Sequence, residues 1–335
     1  MAKTADRNLL RKVPPLRFGE GEDITLCGAL ASALQATRGE RVQVYDDAAA
    51  GSGIAFQFRI DDRWDPDTVS PHAPDTTTRA AASVGLRADV VEPPFDDELR
   101  ELVWERIVES VEADLPPLAR GLMQLPEFGV ITGYDVHDKV LFARTYADHG
   151  DDPSRVLFAD AFAGERPATA VFLDRGPRVE DVALAREAAR RAVEVSAPAT
   201  REVDGVKLFQ GEAAFRAWIE ALAAEVPGRE AAQRAFVDHA RRVFLHGGRR
   251  AAARFLRRIR RAFPDRVGAD LIRAAEAYGY VADECEKIGV RPFDASVVAR
   301  FIDPGQRRGW MHALERAVER EREAVVALTS VSPSL

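Results

Sequence analysis

The sequence predicts an α+β domain followed by an all-α domain, and two observations carry that expectation. Up to about residue 175, short alternating apolar segments, helical apolar spacing and turn-rich loops follow one another. Beyond Gly176-Pro177 the apolar residues recur almost solely at steps of three and four. A chain of 335 residues also exceeds what one core usually supports, so residues 1–175 and 176–335 are expected to form separate domains.

In chain order, Asp23-Ile24-Thr25 offers a helix N-cap, and the helix behind it places Cys27, Leu30, Ala31 and Leu34 on one side. Val42–Tyr45 predicts a short strand. Ile54–Ile60 predicts a clearer one, since Ile54, Phe56, Phe58 and Ile60 alternate with smaller or polar residues. Asp61–Pro74 is expected to be a loop of acids, prolines and one Trp. A helix over 96–114 follows from Leu99, Leu102, Val103, Ile107 and Val111, ended by Pro116-Pro117. Gly129–Tyr134 and Val140–Tyr146 predict an antiparallel hairpin turning through 135–139, and Ala168–Leu173 a further strand. Helices are then expected near 180–195, 211–225, 229–246, 249–263, 267–288 and 306–328. Two of them carry apolar stripes: Leu271, Ala274, Ala275, Tyr278, Ala282 and Cys285 on one, Trp310, Leu314, Ala317, Ala324 and Leu328 on the other. Periodicity alone does not distinguish an intramolecular core from a dimer interface, so a homodimer through the helical half stays open.

With 46% hydrophobic and 30% charged residues the chain has the make-up of a globular protein, and its net charge of −7 argues against a general affinity for nucleic acid or anionic membrane. Two widely separated cysteines make no disulfide framework, which points to a reducing cytoplasm. No apolar run suggests a targeting or membrane-spanning segment. No Gly-rich phosphate loop, Ser-centred nucleophile elbow or dinucleotide fingerprint is present, and no cofactor is expected.

Three stretches carry a family resemblance: Cys27-Gly28, Gly53-Ile54-Ala55-Phe56-Gln57-Phe58-Arg59, and Pro126-Glu127 running through Gly133-Tyr134-Asp135. Together they resemble an uncharacterised bacterial group related to the N-terminal domain of the butirosin-biosynthesis acyltransferase and, more distantly, to bacteriocin-leader-processing cysteine peptidases. The resemblance covers roughly residues 8–175. It implies a papain-like core, with a nucleophile helix packed on a small antiparallel sheet. In those enzymes a Cys at a helix N-terminus attacks an acyl carbonyl, helped by free helical N–H groups and the positive dipole end. A His leading the strand that ends in Gly-Tyr-Asp is the base.

Carried over by position, Cys27 matches the nucleophile and Glu127 stands where the histidine belongs. A carboxylate is a poor partner for a thiol, whose pKa lies well above its own. His137 in the hairpin turn and His149 in the following loop are candidate replacement bases, with Asp135 and Asp148 to orient them, although polar-loop histidines are commonly just solvated and Asp135 can simply cap the turn. Cys27 can equally be a buried core residue, as Cys285 is expected to be.

Three weaker constellations complete the survey. Asp61, Asp62, Asp65 and Asp67 are close in sequence but lack the glycine and the distal acid of a calcium loop, so a solvated loop is expected. His239 with His246, and His312 with Glu315, fall short of a zinc ligand set. Arg250, Arg254, Arg257, Arg258 and Arg261 line one helix face, expected to be exposed and balanced by acidic helices such as 318–323. Two functions from different classes follow: a cysteine-dependent amide hydrolase or acyltransferase acting on a small molecule or peptide, or a catalytically silent relative that binds a small ligand or a protein.

Overall fold

The computed structural model describes residues 6–38, 40–66, 74–123, 126–148, 150–177, 179–290 and 292–331. In chain order its elements are β1 (Arg7–Leu9), α1 (Thr25–Arg38), α2 (Arg41–Ser52), β2 (Arg59–Asp61), α3 (Pro74–Ser83), β3 (Leu86–Val91), α4 (Asp97–Glu112), β4 (Leu118–Arg120), β5 (Phe128–Asp135), β6 (Val140–Arg144), β7 (Ser154–Leu157), α5 (Phe158–Phe162) and β8 (Thr169–Arg175). There follow α6 (Asp181–Ser196), β9 (Ala199–Val203), β10 (Val206–Gln210), α7 (Glu212–Ala223), α8 (Ala231–Ile259), α9 (Asp265–Ile288), α10 (Ala295–Ile302) and α11 (Pro304–Val331). The chain divides into two compact units: Met1–Ala48 with His72–Val179, and Ala49–Pro71 with Glu180–Leu335.

The first unit is α+β. Its antiparallel sheet has the order β3-β8-β4-β5-β6-β7, with β1 added to the β5 edge that β4 also uses. Seven of the eight residues of β5 are buried, so this central strand reads as a continuous apolar run rather than as an alternation. Two of its glycines admit neighbouring backbone: a Cβ on Gly129 would collide with the Arg144 carbonyl, and one on Gly133 with the Asn8 carbonyl. Trp104, Ile107 and Val111 of α4 close the core over Ile131, Tyr134, Leu141 and Phe172.

The second unit is mainly helical, with α9 packed along both α8 and α11. Both expected apolar stripes, on α9 and α11, are buried within the chain. The unit also holds a three-stranded sheet, β2-β10-β9, which the expectation of an all-α domain missed. The sequence does carry a signal for its hairpin. Val203-Asp204-Gly205-Val206 is an Asp-Gly turn between short strands, and both turn residues have positive φ, 52° and 71°.

Three other expectations are corrected. Val42–Tyr45 lies inside α2, because Val44, Tyr45, Ala48 and Ala49 bury one helical face. Ile54–Phe56 forms a turn of 3-10 helix, and only Arg59–Asp61 of that segment is a strand. The apparent alternation misleads there because Gly53 through Phe58 are all buried, polar Gln57 included. The helices expected over 229–246 and 249–263 are one helix, α8. Gly247-Gly248 does not break it; the missing Cβ of Gly248 lets α8 approach the Ala55 carbonyl, where a Cβ would sit 3.2 Å away.

Candidate functional site

The beginning of α1 meets the beginning of β5. Phe128 N–H donates to Thr25 Oγ1 at 3.3 Å, tying the first residue of the helix to the first residue of the strand. The next contact on that side is Gly28, three residues on, where a Cβ would overlap the Tyr146 hydroxyl. Tyr146 in turn donates to the Glu22 carbonyl at 2.8 Å. Thr25 and Gly28 therefore form the face of α1 turned toward β5 and the end of β6.

Cys27 is on a different side. It is 0% exposed, and burial foremost, then the Asp46 charge on α2, pushes its thiol well above the ordinary range. Tyr45, also on α2, is the other buried neighbour, and its hydroxyl accepts from Ile24 N–H at 3.0 Å. Among the described residues nothing around Cys27 favours a thiolate: the side chains that act on it are a carboxylate and phenols, with no cationic group.

Glu127 precedes β5 and lines a small cavity with Leu122, Met123, Phe128, Gly129, Thr145 and Tyr146. At about 10 Å³ the space holds roughly one water, far below what an acyl substrate needs. Asp23, just ahead of α1, is a perturbed carboxyl. It is 5% exposed and accepts from Gly19 N–H at 2.6 Å. Burial raises its pKa to about 6, the Gly19 hydrogen bond opposing and Glu22 and Glu20 assisting.

Of the candidate bases and their orienting acids, His137 and Asp135 do not reach this end of the molecule, whereas Asp148 bonds Thr145, which lines the Glu127 cavity. Asp135 closes β5, and an eight-residue strand puts its last residue roughly 24 Å from its first. Asp135 Oδ1 accepts from His137 N–H at 3.1 Å, so it caps the hairpin turn, as its alternative role required. His137 is solvent-exposed, 3.9 Å from the Asp6 carboxylate, and is a surface residue at the far end of the strand. Asp148 accepts from Thr145 Oγ1 at 2.8 Å and from Ser154 Oγ at 2.7 Å, which organises the loop after β6. His149 lies outside the described residues, as does Asp67.

In the second unit, one residue of the expected solvated loop is interior, and so are several charged residues of α8. Asp61 is 2% exposed rather than solvated; its carboxylate meets the buried Arg241 guanidinium at 3.3 Å. Arg242 pairs with Asp238 at 2.8 Å, and Arg249 forms a two-pronged bond to Glu321 while donating to the Ala55 carbonyl at 2.6 Å. His239 is buried against Phe293, and burial foremost, then Arg242 and Arg300, lowers its pKa to about 4. In the arginine row, Arg250 pairs with Asp283 at 2.9 Å and Glu286 at 2.7 Å on α9, and Arg258 lies 3.9 Å from Asp181 at the start of α6. No cluster of three or more metal-ligating side chains occurs among the described residues, and none of their helices is long and apolar enough to cross a membrane. Compared with known families and curated proteins, the chain matches no family model and no curated sequence.

Proposed function

We propose that this chain is a catalytically silent protein built on a papain-like core, and that it binds a small ligand or a protein partner in a cytoplasmic setting. One observation carries the proposal. Among the described residues, Cys27 is fully buried and the groups acting on its thiol are the Asp46 carboxylate of α2 and the phenols of Tyr45 and Tyr146, so the thiol has no imidazole beside it and no room for an acyl group. Thr25, whose hydroxyl is already engaged by Phe128 N–H, occupies the helix-start position beside the strand, and Glu127 replaces the histidine. A threonine hydroxyl beside a carboxylate lacks the imidazole that would take its proton. The cysteine-dependent acyl-handling reaction is the alternative this proposal displaces.

The test is thiol reactivity in the folded Cys285→Ser protein. Iodoacetamide should leave Cys27 unmodified until denaturant is added. A thiol that alkylates in the native state with an apparent pKa well below 8.5 would restore the enzyme reading.

A further inference from the structure

The first unit contains a groove far larger than the cavity at Glu127, and the sheet topology explains it. β1 and β4 run in the same direction along one edge of β5, end to end. β1 pairs Leu9 with Gly133, and Leu10 N–H donates to the Thr132 carbonyl at 2.8 Å. One residue further along β5, Ile131 N–H donates to the Pro117 carbonyl at 2.9 Å, and β4 begins. One strand thus leaves the edge where the other arrives, and the diverging backbones open a crevice, as strand-order reversals do in open α/β sheets. The crevice measures about 400 Å³, within the range of small-ligand sites, and is lined by Leu9, Leu10, Val13 and Pro116 together with Arg11, Lys12 and Asp114.

Its charges are uncommitted. Arg11, Lys12 and Asp114 are exposed, and none takes part in an ion pair or side-chain hydrogen bond among the described residues. By contrast Arg41, Arg79, Arg100 and Arg106 of this unit are paired with carboxylates. Behind the groove wall, buried Arg144 donates from Nε to the Val13 carbonyl at 3.3 Å, and its Nη1 has no acceptor among the described residues. The neighbouring acid Glu112 is already bonded to Tyr134 and Asn8, at 2.6 and 2.8 Å. The wall is also pinned from behind, by Ser32 to the Pro14 carbonyl and by Arg41 to the Pro15 carbonyl, so the groove is preformed.

We infer that this groove binds an amphipathic organic anion, an apolar body carrying one carboxylate-type head, with the body on Leu9, Leu10, Val13 and Pro116 and the head at Arg11 and Lys12. This deepens the binding proposal by naming a ligand class and a place, and it involves no thiol.

The test is a fluorescence titration of the full chain with 8-anilinonaphthalene-1-sulfonate, an aromatic body with one anionic head. One saturable site is expected. Decanoate should displace the dye, whereas decylammonium and inorganic phosphate at equal concentration should not. The double variant Arg11→Glu/Lys12→Glu, on exposed side chains and checked for native circular dichroism, should weaken binding at least tenfold. Asp114→Asn should tighten it severalfold; Asn suits this position because residue 114 has a φ of 54°. Absence of saturable binding, equal displacement by decylammonium, or unchanged affinity in the double variant would each overturn the inference. None of these outcomes bears on Cys27 reactivity, which is scored separately.

Discussion

The two units treat buried charge differently. The first buries few charged side chains, Asp23, Asp46 and Arg144, and gathers Asp23, Tyr45 and Tyr146 around backbone donors and acceptors at the start of α1. The second threads arginines through its interior: Arg241, Arg242 and Arg249 are 1–2% exposed and Arg307 is 8% exposed. Two of these guanidinium groups serve helix ends. Arg307 donates to the Leu222 carbonyl near the end of α7 and to Phe301 and Ile302 closing α10, and Arg242 donates to the Gly289 carbonyl that follows α9. Carbonyls at helix C-termini have no intrahelical partner, so a buried arginine stabilises both itself and the helix end. Aromatic faces add to this: Arg241 lies 4.4 Å over Trp64 and Arg242 4.5 Å over Trp310. Burying a long charged side chain is thus tolerable where several oxygens and a ring converge on it.

Each unit also contains one fully buried cysteine, Cys27 in the first and Cys285 in the second. Labelling of single-cysteine variants therefore reports the opening of each unit separately, and the contrast between them can be tested.

The largest effect should come from Arg249→Ala. Removing the guanidinium strands Glu321, whose carboxyl burial already raises, and leaves the Ala55 carbonyl without its donor. Breaking such a buried pair costs about 3–5 kcal/mol. Labelling of Cys285 should accelerate accordingly while that of Cys27 stays near its original rate; equal acceleration of both would refute the independence of the units.

Next comes pH. Asp23 has a folded pKa of about 6 against 3.8 for the ordinary group, so the folded first unit holds the proton more tightly. Its stabilising effect is complete below pH 3.8 and is lost as pH rises through 6, amounting to about 3 kcal/mol at most. Asp23→Asn should therefore stabilise the first unit above pH 6. His239 works in the other direction: with a folded pKa of about 4 against 6.5, it favours the second unit above pH 6.5, and that support is lost as pH falls toward 4. His246, also lowered by burial, adds to the same slope. Between pH 4 and 6.5 the two cysteines, probed with 4,4′-dithiodipyridine and corrected for the unfolded rate, should change protection in opposite senses. His239→Gln should flatten only the Cys285 response.

A smaller effect is expected from Gly28→Ala. The added methyl meets the Tyr146 hydroxyl, an overpacking worth about 1–3 kcal/mol. Tyr146→Phe removes that hydroxyl, so the double variant should be more stable than the sum of the single changes predicts. Strict additivity, read from chemical denaturation, would mean that α1 does not sit against Tyr146.

Several elements were legible in the sequence because local pattern and burial agree. The amphipathic α4, the β5–β6 hairpin and the helices α6, α7, α9 and α11 fall near the expected positions. The failures share a physical cause. Residues 54–58 are buried on every side, which erases the difference between a strand and a turn of helix, and α8 runs through two glycines, at one of which, Gly248, the Ala55 backbone packs closely. The Asp-Gly hairpin was visible but lay within a helical context.

For the site, the chain alone showed a glutamate, Glu127, where the family resemblance calls for a histidine, and left His137 and His149 as candidate replacements, since these are matters of residue identity. Direction belongs to the tertiary structure. Whether Cys27 faces the strand or α2 depends on a helical rotation of about 100° per residue, which is set by what packs on each face of α1. The same holds for the arginines of α8: spacing places them on the helix, but only the neighbouring carboxylates, helix ends and rings decide which of them leave water.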